Sequence, residues 1–416
     1  MSESKCNILA CFLLSFLIFF IVYSCSAAKT GRIAEKPTAK AVPPAETAIS
    51  VESAVPAEPA VPVKPAEPVK PAVPVKPAEP VKPVEPASPT EPMVPYEGRI
   101  LNIFFHALIA RPEIAFKGNR KEHFMEWFVT ADEYKKILDE LYLRNYVLVD
   151  IREFYTVKYT NNIKTIEVKN FMVPKGKKPV ILSVDDLSYY PSNRRNGTVH
   201  KLVLDQNGNI AAWTASPSGG GAFSYDQDII TITEDFIKQH PDFSIRGAKG
   251  IIALTGYEGV LGYQTQAERS KTAGYQKEKE DAIVVANKLK ELGWRFASHS
   301  YRHLNMPKVS MASFINDNRL WNNEVKPILG ETDLYVYPYG AALEKIEEKH
   351  RILRGMNFNL FFGVGSGYGY RMGPKSEYVY MSRMNIDGRY FRQFRNRADR
   401  LFDINKVMDK QNRGVK

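Results

Sequence analysis

The sequence predicts an α/β protein whose parallel strands close into a barrel, and three observations carry that expectation. From about residue 96 onward, short apolar runs alternate with amphipathic helical patterns. That alternation implies parallel strands joined by right-handed crossovers. About seven such runs occur, which favours closure over an open sheet, and the unusual polar residues fall at their ends, where a barrel gathers its chemistry.

The N-terminal quarter is of another kind. ILACFLLSFLIFFIVYS, Ile8 to Ser24, is an uncharged apolar run behind a short polar start with Lys5. It is too long for a core strand and at the lower limit for spanning a bilayer, so residues 1–25 are expected to be a secretion signal or an anchor. The run ends at VYSC, a pattern resembling a lipoprotein-processing site with Cys25 as the lipidated residue. Lipidation, an uncleaved anchor and ordinary cleavage all place the remainder outside the cytoplasm, tethered to the membrane in the first two cases. Cys6, Cys11 and Cys25 are the only cysteines. The globular part therefore has no disulfide, no thiol nucleophile and no cysteine ligand, leaving His and carboxylates for a transition metal.

Residues 26–97 form a linker rich in Pro, Ala, Val, Lys and Glu, with the near-repeat VKPAEPVKPAVPVKPAEPVKP. Recurrent proline prevents helix and sheet and leaves a disordered, extended spacer of about 3.1 Å per residue. Its Lys and Glu nearly cancel, so the formal charge of +11 falls mainly on the folded part. A basic exported surface suits an anionic envelope or its polymers. Neither a helix-turn-helix pattern nor an aromatic and basic RNA-binding signature appears, and nucleic acid is not an expected partner. A monomer is expected.

Residues 98–416 hold the predicted domain. RILNIFFHALI reads as a strand. TADEYKKILDEL follows as a helix, opened by Thr130 and Glu133 at capping-box spacing, with Tyr134, Ile137, Leu138 and Leu141 on one face. YVLVDI, PVILSV, KGIIAL, WRFAS, LYVYPYG and NLFFGVG read as further strands. EKEDAIVVANKLKEL, closed by Gly293, and two later segments, FINDNRLWNNEVKPIL and ALEKIEEKHRIL, read as helices. Residues 189–242 break this rhythm with an NG-centred hairpin signal in KLVLDQNGNIAAW and the flexible SPSGGGAF. They are expected to be an insertion, either a flap beside the site or a surface loop.

Four polar features end predicted strands: His106 in FFH, Asp185 and Asp186 in SVDDL, His299 and His303 in SHSYRHL, and Tyr339 in YPYG. Singly, each has an ordinary explanation. An aspartate pair caps a helix, an HxxxH makes a polar turn, a lone strand histidine sits satisfied in a core, and PYG turns the chain. Together, in this order at successive strand ends, they suggest a site. GVGSGYGYRMG lacks both the dinucleotide register and the P-loop Lys-Ser/Thr, and reads as a glycine-rich turn. Asn196-Gly197-Thr198 matches a glycosylation sequon, meaningful only in a eukaryotic secretory route.

The motifs ILSVDDL, His299-Ser300-Tyr301-Arg302-His303 and Pro338-Tyr339-Gly340 resemble those of the polysaccharide deacetylases, a carbohydrate esterase group with the NodB-homology domain. The resemblance spans about residues 99–396. It implies a distorted (β/α)7-type barrel and a divalent metal, usually zinc, held by Asp186, His299 and His303. Asp185 would be the base, and the backbone N–H of Tyr339 would support the oxyanion. Two imidazoles and one carboxylate leave open coordination positions, which suits polarising a carbonyl.

Two departures matter. No histidine follows His350, although the family places its acid near the C-terminus. In a subgroup acting on exported poly-N-acetylglucosamine the acid lies in an N-terminal strand motif, which makes His106 the candidate here. The arginine often found before the PYG turn is also absent, with Val336 and Tyr337 in its place. Arg383 in SRMNID resembles a later motif and would orient Asp185 instead, with a plain salt bridge as the other reading. The resemblance implies a metal-dependent N-deacetylase acting on an N-acetylated polysaccharide. A non-catalytic carbohydrate-binding protein and an O-acetyl esterase stand as alternatives.

Overall fold

The computed structural model describes residues 91–343, 345–397 and 401–415. The expected signal or anchor, and the linker as far as residue 90, lie outside the described residues. Seven strands form the closed ring: β1 (Leu101–His106), β2 (Lys178–Asp185), β3 (Ile251–Leu254), β4 (Arg295–Ser298), β5 (Leu334–Val336), β6 (Leu360–Val364) and β7 (Val379–Asn385). Each pairs parallel with the next, and β7 returns to β1 through Met384 opposite Ile103. Around the ring lie α1 (Ala131–Leu143), α2 (Ile229–Gln239), α3 (Tyr275–Leu292), α4 (Met311–Leu320), α5 (Glu347–Gly355) and α6 (Gly388–Phe394).

Alternation along each strand sets two cores. Leu101, Ile103 and Phe105 of β1 and Val180, Leu182 and Val184 of β2 face the helices. Ile181, Ile251, Ala253, Ala297, Leu334, Val336, Leu360, Phe362, Val379 and Met381 fill the barrel interior. Phe154, Ile166, Phe171 and Val173, in and around an antiparallel hairpin of Tyr155–Thr160 with Ile163–Val168, plug its lower end. Only the upper end is left for chemistry.

The ring differs from the predicted strand set at two places. Tyr146–Leu148, from YVLVDI, lies outside it. The long β2 shares one edge, pairing Lys178–Val180 with that strand and Ser183–Asp185 with β3. The seventh member is instead Val379–Asn385. No α-helix separates it from β6: the chain leaves β6 through the glycine-rich turn, Tyr370–Met372 folds back antiparallel on β7, and one 3-10 turn, Pro374–Ser376, leads into it. The alternation that marks the other strands is therefore missing there.

The insertion is also smaller than residues 189–242. Its later part is α2, a barrel helix capped by Asp228, whose Thr233 Oγ1 lies 2.7 Å from Tyr134 Oη on α1. The inserted element proper is a three-stranded antiparallel sheet of Lys201–Leu204, Ile210–Ala215 and Gly221–Ser224. It leans on α2 and α3 along the outer wall. At the other end of the predicted linker, Met93–Pro95 already pairs with Met172–Pro174, so ordered chain begins before residue 98.

The capping box of α1 is present in both directions, Glu133 N to Thr130 Oγ1 at 3.1 Å and Thr130 N to Glu133 Oε2 at 2.8 Å. Glu133 is fully buried, and Arg413 satisfies it with bonds of 2.6 and 2.8 Å. The same guanidinium donates to the carbonyls of Met125 and Phe128, fixing the segment whose Phe128 ring packs on His106 at the end of β1.

His350 on α5 is buried between the rings of Phe361 and Tyr378, at centroid distances of 4.4 and 4.1 Å, and neither ring nitrogen has a partner. Burial, aided by Arg354, pushes its pKa down from 6.5 to about 4. The unfolded chain therefore binds the extra proton between those values, and stability falls as pH drops through this window. The displacement corresponds to roughly 3 kcal/mol. Replacing His350 by Leu is expected to flatten the fall in Tm between pH 6.5 and 4, measured by thermal unfolding of both proteins across that range.

Candidate metal and acid-base site

The mouth at the C-terminal strand ends collects every residue singled out by the sequence. His106 ends β1 directly opposite Asp185, the last residue of β2, and Arg383 on β7 pairs in register with Val364. Asp186 follows β2, His299 and His303 follow β4, and Tyr339 follows β5. Asp186, Ser300, His303 and Tyr339 all have left-handed backbones, with φ between 54° and 59°. Such conformations cost energy in non-glycine residues and cluster where side chains must be aimed. At Gly340, φ is +66° and a Cβ would come within 2.6 Å of Val364, so the PYG turn needs its glycine.

One ligand atom each from Asp186, His299 and His303 lies within 4.8 Å of the others. His303 Nε2 is 3.7 Å from Asp186 Oδ2, and the two imidazole centroids are 4.8 Å apart. The buried His299 ring donates Nδ1–H to the Val336 carbonyl at 2.9 Å. That bond leaves Nε2 as the lone-pair nitrogen. Burial holds the His299 pKa below the usual imidazole value against the pull of Asp185 and Asp186, keeping the ring in its ligating form. Asp186 is held below the usual carboxylate range, burial being outweighed chiefly by His303 and His299. Two imidazoles and one carboxylate fit a divalent cation such as zinc.

The turn between the histidines is held from α4. Asp317 accepts from the backbone N–H of Tyr301 at 2.8 Å and of Arg302 at 2.9 Å. The Tyr339 ring is 68% exposed and stands edge-on to His303 at 4.5 Å, forming part of the rim.

Asp185 borders this cluster, its Oδ2 3.9 Å from His299 Nε2, but its main partner is a cation. Both its oxygens accept from Arg383, at 2.7 and 2.8 Å, and the pair is almost fully buried. Arg383 also donates to Ser183 Oγ at 3.1 Å and lies 4.2 Å over the Phe104 ring. Burial would raise the Asp185 pKa, but Arg383, His299 and His106 outweigh it and hold it at about 2.

His106 is half-buried against Phe104 and Phe128, with centroids 5.8 and 5.6 Å away, and its Nδ1 is buried without a partner. Asp387, the cap of α6, is buried within its electrostatic reach. Burial raises Asp387 to about 6, against the hydrogen bond from Tyr390 N and the charge of His106.

Sequence reasoning missed Tyr190, Thr255, Asp317 and Asp387. Tyr190 Oη bonds Asp186 Oδ1 at 2.6 Å and lies 2.7 Å from Thr255 Oγ1. Only Asp387 carried a signal, as an aspartate opening a helix three residues before Tyr390. The inserted sheet, against the outer wall, does not supply any of these side chains.

The fold and site thus define a closed seven-stranded β/α barrel with an Asp-His-His cluster and an adjoining Asp-Arg pair at the C-terminal ends of its strands. No protein family model matches the sequence, and no curated protein matches it. Several solved structures resemble it. The Bacillus anthracis protein BA0330 has a TM-score of 0.41 at 12% identity, covering 70% of this chain and 65% of that one. The polysaccharide deacetylase BC0361 from Bacillus cereus has 0.40 at 11%, covering 71% and 68%. The Streptococcus pyogenes deacetylase PplD, solved with acetate, has 0.38 at 14%, covering 71% and 94%. This chain spans about two thirds of the length of the first two.

Removing one member of a buried ion pair strands the other. Arg383→Met is expected to cost about 3–5 kcal/mol, and adding Asp185→Leu should recover much of that loss. Urea unfolding of the metal-free single and double variants checks both expectations.

Proposed function

We propose that this chain is a metal-dependent hydrolase that removes N-acetyl groups from an amino-sugar polysaccharide. The observation that carries the reading is the Asp186, His299 and His303 cluster beside an Asp185 that Arg383 keeps ionised. A divalent metal bound there, zinc being the best fit to the donors, would polarise the acetamide carbonyl and favour ionisation of water.

The chain's own residues supply the proton transfers. Asp185 is ionised throughout the working range and, with its two oxygens fixed by Arg383, offers a remaining lone pair to the attacking water's proton. The Tyr339 N–H is the donor proposed for the oxyanion. His106, on the strand adjacent to Asp185, protonates the departing nitrogen. The carbonyl carbon gains the water oxygen, the C–N bond breaks, and acetate and a free amine leave. Asp387, the cap of α6, lies within electrostatic reach of His106.

The apolar run Ile8–Ser24 and the Pro-rich stretch support an extracytoplasmic protein tethered to the membrane, as a lipoprotein or through an anchor. Among the described residues no helix is long and apolar enough to cross a membrane. A monomer facing an envelope polymer is the arrangement proposed.

Acetate release from N-acetylglucosamine oligomers by the full-length protein tests the reaction. Asp185→Asn and His106→Ala should each lower the rate by about 10²–10⁴-fold. With an activated aryl acetate, whose leaving group needs no proton, the His106→Ala loss should largely vanish. His303→Ala should lose the bound metal. Absence of acetate release from any N-acetyl or O-acetyl glycan would instead favour a carbohydrate-binding protein, and release from O-acetyl glycans alone would favour an esterase.

A further inference from the structure

Asp186 is gripped from the side away from the histidines. Tyr190 Oη lies 2.6 Å from Asp186 Oδ1, whereas the oxygen nearest His303 is Oδ2, at 3.7 Å. An ionised carboxylate can only accept, so the single phenolic proton is committed to Asp186. The Thr255 hydroxyl, 2.7 Å from the same phenol, must then donate to the tyrosine oxygen. Ser188 Oγ lies 3.4 Å behind Thr255, closing the polar group inside the protein. The result is a hydrogen-bond chain with one direction, from Thr255 through Tyr190 to Asp186.

Every member is anchored. Thr255 is fully buried and follows the last residue of β3. Tyr190 caps the short Pro191–Arg194 helix and packs its ring on Tyr257 at 5.3 Å. Asp186 N–H donates to the Ala253 carbonyl at 3.1 Å, and its left-handed backbone turns the carboxylate toward the histidines. The phenol thus has little freedom to follow the carboxylate if it rotates.

We propose that Tyr190, oriented by Thr255, is a positioning residue that makes Asp186 present a single oxygen to the metal. This rests on reading Asp186, His299 and His303 as a metal site. The phenol takes one lone pair of Oδ1 and holds that oxygen toward itself, so Oδ2, with no such partner and 3.7 Å from His303 Nε2, is the oxygen presented to the metal. A released carboxylate would be able to chelate through both oxygens and fill a coordination position that hydrolysis leaves open. Outer hydrogen bonds of this kind orient ligands and tune their basicity, and their loss typically weakens metal binding by about 10–100-fold.

Tyr190→Phe keeps the ring packing and removes only the hydroxyl, so Co²⁺ and Zn²⁺ binding by the full-length protein tests the idea. Competition with a chelator should show affinity reduced by about 10–100-fold. The visible Co²⁺ absorption should weaken, because a higher coordination number lowers its intensity. Thr255→Val should change both in the same direction by less. If Tyr190→Phe melts early in its metal-free form, the Thr255→Val spectrum decides. Affinity and spectrum unchanged in the folded variants would overturn the role of Tyr190 while leaving the metal site intact. A wild-type chain that binds neither ion would overturn the metal-site reading and this inference together.

Discussion

The Asp185–Arg383 pair is the interaction around which the upper barrel is arranged. Arg383 stands on β7 and Asp185 on β2, with β1 between them, so their two hydrogen bonds cross one strand inside the barrel. A charge in that interior is tolerated when its partner is close and well oriented, as here, although the Arg383 Nε is buried without a hydrogen-bond partner. Ser183 takes one guanidinium proton and the Phe104 face covers the cation. The pair therefore constrains ring closure at the strand that has no α-helix before it. It also fixes the ionised state of Asp185.

Adjacent residues thereby receive opposite environments. Asp185 pairs with a permanent cation, with His299 Nε2 3.9 Å from its Oδ2. Asp186, one residue on with a left-handed backbone, points to His303 and Tyr190. Two neighbouring carboxylates left to share one space would repel, and one would take up a proton. Here separate counter-groups let both remain ionised.

The barrel and the core of this site were legible in the sequence because they rest on local signals. Apolar runs ending in Asp-Asp or followed by HSYRH announce strand ends, and Thr130 with Glu133 announces a capped helix. Other features were hidden because they depend on distant partners. Val379–Asn385 lacks a preceding α-helix, so the alternating pattern does not mark it as a barrel strand. The run IITITEDFIKQ is crowded with β-branched residues that disfavour helix, so α2 was absorbed into the insertion; its burial and the Asp228 cap override propensity. Tyr190 and Thr255 are 65 residues apart, and no spacing rule joins them across two strand ends.

The central claim is a division of labour in which the metal belongs to Asp186, His299 and His303 while Asp185 belongs to Arg383. Anomalous diffraction at the zinc edge from crystals of the zinc-loaded protein tests this most directly. One peak should appear within bonding distance of Asp186 Oδ2 and an Nε2 of each histidine, with Asp185 still paired to Arg383. A peak ligated by Asp185, or none at the mouth of a zinc-saturated crystal, would contradict it.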